Sequence, residues 1–417
     1  MFNDCKNKMR KKIIISSYDD IKNPYYGGGG AVAIHELAKR LNKNYQIEVL
    51  SWNHSGVKKE IIDGVSYVRI GFPFLSPKIS MLVFQILLPF MCYFKKYDFW
   101  LESFGPPFTA SLSPLVSKER VVGIVNMLAS EDMHRKYGKL IPFGILERLF
   151  IKNYKNIIVN NEYIKKKVLD LNPKTNVTVI SNGVNRVDFK KFNDVKSKKI
   201  LYLGRIEIDQ KGLDLLVLAF KKFLNKAKDR NYQLVIAGSG APNEVVKLKE
   251  LIQKHSLKRK VVLPGRVEGR KKDNFLSNSL VLVITSRFET HPLTALEAMA
   301  YRLPIVCFDI EGLRWVSNKA SIKVKPFDID KFASSLELIA LDRKTRQKLG
   351  GFGYSYAKKY TWEKIAQRYS DFIISIHKTT RLRTGISLPP KVKQTNVLNF
   401  KNRLRKLPDY IKQTIGI

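Results

Sequence analysis

Ser286-Arg287-Phe288-Glu289-Thr290-His291-Pro292-Leu293-Thr294-Ala295-Leu296-Glu297-Ala298-Met299-Ala300 is the stretch that decides how this chain is read. It places two carboxylates, Glu289 and Glu297, eight positions apart. Between them Pro292 suits the first position of a helix, where its missing N–H would have no intrahelical partner, and Leu293 to Ala300 are nearly all strong helix formers. The spacing predicts a helix that begins between the two acids. Its N-terminal amides and partial positive charge would face whatever Glu289 faces, which makes a seat for a phosphate beside an acidic side chain.

Outward from this stretch, strands alternate with helices, twice over. In the first half Ile13 to Ser17, Gln46 to Ser51, Val65 to Ile70, Phe99 to Leu101, Val121 to Val125 and Ile157 to Val159 read as strands. Several are short apolar runs, as expected of parallel strands buried on both faces. Ala31 to Leu41 reads as a helix with Ile34, Leu37, Ala38 and Leu41 on one face. The second half repeats the scheme with strands at Ile200 to Leu203, Leu234 to Ala237, Val261 to Leu263, Leu280 to Ile284 and Ile305 to Phe308. Lys190 to Lys199 is charged and poor in apolar residues, and marks a linker. The expected fold class is α/β, with two Rossmann-like domains whose parallel sheets face a central cleft. The expected boundaries are 1–190, 191–360, a helix over 361–377 and a basic extension over 378–417.

Each half carries one phosphate-handling feature. Gly27-Gly28-Gly29-Gly30 follows a strand and precedes a helix, so that Gly28 and Gly29 permit close backbone approach and leave the helix N-terminus open to an anion. Glycine runs also make plain loops. In the second half Leu203-Gly204-Arg205-Ile206 ends a strand, and Lys211-Gly212 follows six residues on. Fixed cations at a strand end suit an anionic group such as a phosphate. The plain alternative is two surface cations among 75.

The pair of glutamates followed by Ala-Met-Ala, with Leu303-Pro304-Ile305-Val306 just beyond, resembles the signature of family 4 glycosyltransferases, retaining enzymes of the GT-B fold. The resemblance runs from about Ile13 to about Ile376. It implies that Arg205 and Lys211 neutralise the diphosphate of a nucleoside-diphosphate sugar, that Glu289 faces the oxocarbenium-like centre, and that Glu297 binds ribose hydroxyls. Gly28, Gly29, His291, Leu293, Thr294, Gly238, Arg266 and Val267 join the expected donor-binding set, the last three through the backbone groups of Gly238-Ser239-Gly240 and Gly265-Arg266-Val267. Retention would follow from front-side attack, with no general base in view. Relatives often carry a histidine where this chain has Asn126, which can donate and accept hydrogen bonds but cannot take a proton. Nearby His134 is a possible substitute. Many relatives also have Gly at the places of Thr290 and Arg302 and an aromatic residue at that of His291. The final helix, Trp362 to Ile376, is assigned to the first domain by resemblance.

Composition frames the partners. Of the 417 residues 44% are hydrophobic, which excludes a disordered chain. Cys5, Cys92 and Cys307 are scattered without CxxC or CxxH spacing, so neither a disulfide framework nor a zinc site is suggested, and a cytoplasmic compartment is the simplest reading. Asp328-Ile329-Asp330 has the form of a metal-binding DxD, but it follows Pro326 and opens a helical stretch, so helix capping explains it better. The formal charge of +39 calls for nucleic acid, an anionic membrane surface or simple solubility in a lysine-rich proteome as its explanation, and the absence of a recognisable nucleic-acid module favours the membrane surface. The apolar run Ile79 to Phe94, flanked by Lys78, Lys95 and Lys96, falls short of the roughly 20 residues that span a bilayer and reads equally as an interfacial helix or a core helix. The tail from Lys378 to Ile417 carries ten Lys and Arg against one Asp and reads either as a membrane-facing segment or as a solvated extension.

The expected function is a metal-independent transferase that delivers sugar from a nucleotide donor to a lipid-linked or cell-surface glycan, peripheral on the inner face of the cell membrane. Two alternatives stand beside it: a soluble transferase or phosphorylase acting on a small sugar or sugar phosphate, and a catalytically silent GT-B scaffold.

Overall fold

A computed structural model describes residues 10–24, 28–106, 108–117, 120–130, 133–134, 142–186 and 197–384, the last eight without their side chains. Two compact units emerge, divided at Ser181/Asn182 and at Lys364/Ile365.

The first unit is an eight-stranded sheet: β1 Lys12–Ser17, β2 Gln46–Trp52, β3 Lys59–Ile62, β4 Val65–Ile70, β5 Phe99–Ser103, β6 Val121–Val125, β7 Asn156–Val159 and β8 Asn176–Val179. Their spatial order is β3-β4-β2-β1-β5-β6-β7-β8, and every pair is parallel except β3 with β4. Ile13, Ile14 and Ile15 are wholly buried, as a strand covered on both faces requires. Its helices are α1 Gly29–Leu41, α2 Pro77–Phe94, α3 Phe143–Ile151 and α4 Glu162–Leu171. The Asn161 side chain caps α4 by accepting from the Ile164 amide at 2.8 Å.

The second unit is a six-stranded, wholly parallel sheet built from β9 Lys199–Leu203, β10 Gln233–Ala237, β11 Val261–Gly265, β12 Val281–Ile284, β13 Ile305–Phe308 and β14 Ser321–Val324. Their order is β11-β10-β9-β12-β13-β14. The chain winds outward from β9 in one direction and, after β11, returns to wind from β12 in the other. The neighbouring strands β9 and β12 therefore send their following loops to opposite sides, and a crevice opens beyond their C-terminal ends. The helices are α5 Ile208–Lys211, α6 Leu213–Lys226, α7 Pro242–Lys254, α8 Gly269–Ser277, α9 Leu293–Ala300, α10 Ile329–Leu341 and α11 Arg343–Ala357, while the last helix, α12 Trp362–Thr384, belongs to the first unit from Ile365 onward.

Four expectations are corrected. Pro292 is the N-cap of α9 and not its first residue, because its ψ of 123° is extended. Lys199, expected in the linker, already pairs with Gln233 in the sheet. The last helix runs to Thr384, past the expected end. In α2 the flanking Lys95 turns to Glu48 at 2.8 Å and does not frame the apolar run. The tail beyond residue 384, the linker over 187–196, Gly27 and Cys5 lie outside the described residues.

Helix α2 is core on one side and exposed on the other. Met81, Phe84, Leu88 and Met91 are buried in the first unit's core, while Ile79, Ile86 and Phe90 are half exposed on the opposite side. At 18 residues with mean hydropathy 1.5, it is the one described helix long and apolar enough to cross a membrane, by length and composition alone.

Candidate functional site

The crevice at β9 and β12 collects the expected cations and acids of the second unit. Lys211 ends α5, and the chain then turns through Gly212 at φ 60°, where a Cβ would lie 2.0 Å from the Thr285 carbonyl oxygen. Only glycine allows this approach, which brings Lys211 against the segment leaving β12. Lys211 Nζ donates to Glu289 Oε1 at 2.7 Å, and Ser286 Oγ donates to the same oxygen at 2.7 Å. Glu289 is thus a nearly buried carboxylate with two fixed donors. Arg205, on the loop after β9, is half exposed, with one guanidinium nitrogen 3.1 Å from Gln210 Oε1 and 3.0 Å from Glu207 Oε2. Arg287 is held away from this group by Asp214, at 2.7 Å and 2.9 Å, and this hydrogen-bonded pairing raises its already high pKa.

Glu297 stands on α9, one turn after Leu293 and Thr294 at the helix start. Its Oε1 accepts from Lys272 Nζ at 2.7 Å, an ion pair that sequence reasoning missed because the partner lies 25 positions away on α8. Gly238 closes on β11 through its amide, which donates to the Gly265 carbonyl at 2.9 Å. Arg266 pairs with Glu268 at 2.6 Å, and the Val267 side chain is buried in the core beside Leu276 and Leu296, leaving its backbone as its polar resource.

His291 departs most from a simple sugar contact. It is 5% exposed and stacks flat on Trp315, with ring centroids 4.0 Å apart and planes 7° apart. Burial pushes its pKa down to about 3, so the imidazole is neutral throughout the physiological range. Asn182 Nδ2 donates to the His291 carbonyl oxygen at 3.4 Å. Two more residues were unassigned in the sequence: Ser286, whose signal is its place three residues before Glu289, and Gly312, packed beneath the Glu289 backbone.

In the first unit the loops after β1 and β6 meet. A Cβ at Gly30 would lie 4.0 Å from Asn126 Nδ2, which joins the glycine run to Asn126. Asn126 Nδ2 donates to Ser103 Oγ at 3.2 Å, and its carbonyl accepts from Asn160 Nδ2 at 3.4 Å. Buried Glu147 of α3 holds the following segment by accepting from the Ser130 amide at 3.2 Å and from Thr109, whose hydroxyl in turn accepts from the Ala129 amide at 2.9 Å. The expected open start of α1 is corrected at Gly28, whose amide donates to Asp19 Oδ2 at 3.1 Å. His134 packs edge-on against Phe143 at the start of α3. The loop after β1 is further braced by buried Asp20. Burial alone would raise its carboxyl, but hydrogen bonds and charge from His54 and Arg69 outweigh that and hold it far below the usual range.

Asp328 caps α10 by accepting from the Lys331 amide at 2.9 Å, and Asp330 pairs with Lys222 at 2.8 Å. Among the described residues no three His, Cys, Asp or Glu side chains lie together as a metal site.

The family model described as "Glycosyltransferase Family 4" matches residues 27–187, and "Glycosyl transferases group 1" matches residues 183–356. An uncharacterized glycosyltransferase of Methanocaldococcus jannaschii is 29% identical over 230 residues, 51% of this chain, and the chain spans 57% of that relative's length. Among solved structures, a sucrose-phosphate synthase from Thermosynechococcus elongatus superposes with TM-score 0.75 at 18% identity, covering 89% of this chain and all of that one. The Anabaena HepE structure in complex with UDP-glucose superposes with TM-score 0.66 at 14% identity, covering 88% of this chain and all of that one. At these identities the structural likeness speaks for the fold.

Proposed function

Since the chain belongs to the family 4 glycosyltransferases of GT-B fold, we propose that it is a retaining, metal-independent transferase. It moves a sugar from a nucleoside-diphosphate donor to a lipid-linked or cell-surface glycan at the cytoplasmic face of the membrane. The observation that carries this reading is the meeting of Lys211, Ser286 and Glu289 at the crevice where β9 and β12 diverge, with Arg205 on the adjoining loop.

The chemistry follows from the charges. Breaking the bond from the anomeric carbon to phosphate leaves a diphosphate that gains negative charge as it departs. Lys211 has three N–H donors and spends one on Glu289, so two remain for phosphate oxygens. Arg205, half exposed, adds a second fixed cation. Glu289, oriented by Lys211 and Ser286, presents negative charge to the carbon that becomes cationic. The acceptor hydroxyl enters from the face the diphosphate leaves, and its proton passes to a departing phosphate oxygen. Asn126 serves as a hydrogen-bonding group and not as a base.

The membrane part of the reading rests on the half-exposed apolar side of α2, flanked by exposed Lys78 and Lys96, together with the chain's charge of +39. An acceptor anchored in an anionic leaflet would be met by both attractions.

The test is thermal unfolding of the protein with a panel of nucleotide sugars, with and without EDTA. A productive donor at about one hundred times its dissociation constant should add roughly 2.7 kcal/mol, unchanged by EDTA. Stabilisation that disappears with EDTA would remove the metal-free mechanism, and no stabilisation by any donor would overturn the transferase reading in favour of a silent scaffold.

A further inference from the structure

Helix α8 opens against its own electrostatics. Gly269-Arg270-Lys271-Lys272 puts three cations on the first turn with no acid among them, where the helix end is itself partially positive. The acid that precedes that turn, Glu268, is paired with Arg266. A local rule broken in this way marks a place where something other than helix stability sets the residues.

Of the three, Lys272 is the one drawn inward. Its Nζ donates to Glu297 Oε1 at 2.7 Å, and both side chains are mostly shielded, at 29% and 19% exposure. The pair is not needed to dock the two helices, because Asp273, the next residue on α8, hydrogen-bonds the Tyr301 hydroxyl one turn further along α9, and Leu276 packs into the same core as Leu296. What the pair does provide is a carboxylate with spare lone pairs beside an ammonium with two further N–H donors. A vicinal diol matches this arrangement, since each hydroxyl can donate to the carboxylate while its oxygen accepts from the ammonium.

We propose that Lys272 is a second ribose-recognition residue, acting with Glu297 on the nucleoside diol, so that the two side chains together select ribonucleotide donors. This rests on the proposed reading of Glu297 as the ribose contact.

The experiment is isothermal titration of the full-length protein with whichever of UDP, GDP and ADP binds best, and with its 2′,3′-dideoxy analogue. Wild type should prefer the ribonucleotide by about tenfold or more, the scale of charge-assisted hydrogen bonds. Lys272→Met should lose most of that preference, with the dideoxy affinity little changed, and Lys272→Arg should keep part of it. Equal weakening of both ligands by Lys272→Met would mean general electrostatics, and unchanged preference would mean a helix clamp, and either overturns the proposal. If wild type binds none of the three diphosphates, the proposed function itself fails. If it binds and Glu297→Gln alone abolishes the preference while Lys272→Met retains it, only the role of Lys272 fails.

Discussion

Gly312 lies directly beneath Glu289: a Cβ on Gly312 would sit 1.8 Å from the Glu289 carbonyl oxygen and 2.4 Å from its carbonyl carbon. No real contact is that short, so any side chain at 312 must push the backbone that carries the site carboxylate. Gly312→Ala is expected to destabilise the second unit by more than about 2 kcal/mol and to lower kcat by about a hundredfold, the scale of a roughly 1 Å misplacement. Steady-state kinetics with the cognate donor check this, and unchanged kcat would mean that Glu289 tolerates displacement.

Glu289 is the common acceptor for Lys211 and Ser286. Glu289→Ala strands both donors and removes the charge facing the reacting carbon, so transfer should fall by about a hundredfold or more. Ser286→Ala removes one of two orienting donors and should cost about tenfold or less. Single-turnover rates for the two variants would show the order, and full activity in Glu289→Ala would remove the site assignment.

His291 makes stability depend on pH. Its folded pKa of about 3 lies below the unfolded value of 6.5, so between these values the unfolded chain binds a proton that the folded chain does not. Its contribution is complete above pH 6.5 and is lost as pH falls towards 3, at no more than about 1.4 kcal/mol per pH unit. His291→Phe, which keeps a ring against Trp315, should flatten the decline in unfolding free energy between pH 7 and pH 5 relative to wild type. Parallel curves for the two proteins would show that His291 titrates normally.

Arg302 occupies a left-handed conformation at φ 56°, just past the end of α9, and its guanidinium lies 4.3 Å from the centre of the Tyr354 ring. Relief of about 1 kcal/mol of backbone strain in Arg302→Gly is offset by loss of a cation–π contact of about 0.5–1 kcal/mol, so this change should be nearly neutral. Gly350→Ala, whose Cβ would meet the Arg302 carbonyl oxygen at 2.1 Å, should destabilise by more than about 2 kcal/mol. Denaturant melts of the two variants distinguish these outcomes.

The outer side of α2 offers a clean test of membrane attachment. Ile86→Glu with Phe90→Glu changes two half-exposed residues and leaves the buried Phe84 and Leu88 intact. Flotation with vesicles of phosphatidylglycerol and phosphatidylcholine should fall by about tenfold or more, since insertion of acids removes both apolar burial and charge attraction. Undiminished flotation would place the membrane-binding surface elsewhere.

The strands absent from the sequence reading are β3, β8 and β14, and each is an edge strand. For β3 and β8 exposure explains the omission, whereas β14, SIKV, is too short and too polar in its middle to show an apolar run. β3 alternates exposed and half-buried positions and β8 has no buried residue, so neither shows the continuous apolar run that betrays a strand covered on both faces. The central strands carried that run, and with it the α/β class and the repeat of the scheme. Arg205, Asn126 and the glycine run could be picked out because they follow such strands, Lys211 by its place six residues beyond Arg205, and Glu289 and Glu297 by their spacing around the start of α9.

Sequence by itself therefore determined the alternation of strands and helices and the residue types available at each strand end, because period, propensity and helix starts depend on neighbours along the chain. The tertiary structure decided which of those residues meet. Lys211 reaches Glu289 across 78 positions only because β12 returns to lie beside β9, Lys272 reaches Glu297 only because α8 packs on α9, and His291 loses its proton only because tertiary packing, Trp315 included, buries it. Partners, burial and the resulting charge states belong to strand order and close packing, which no local window of the chain contains.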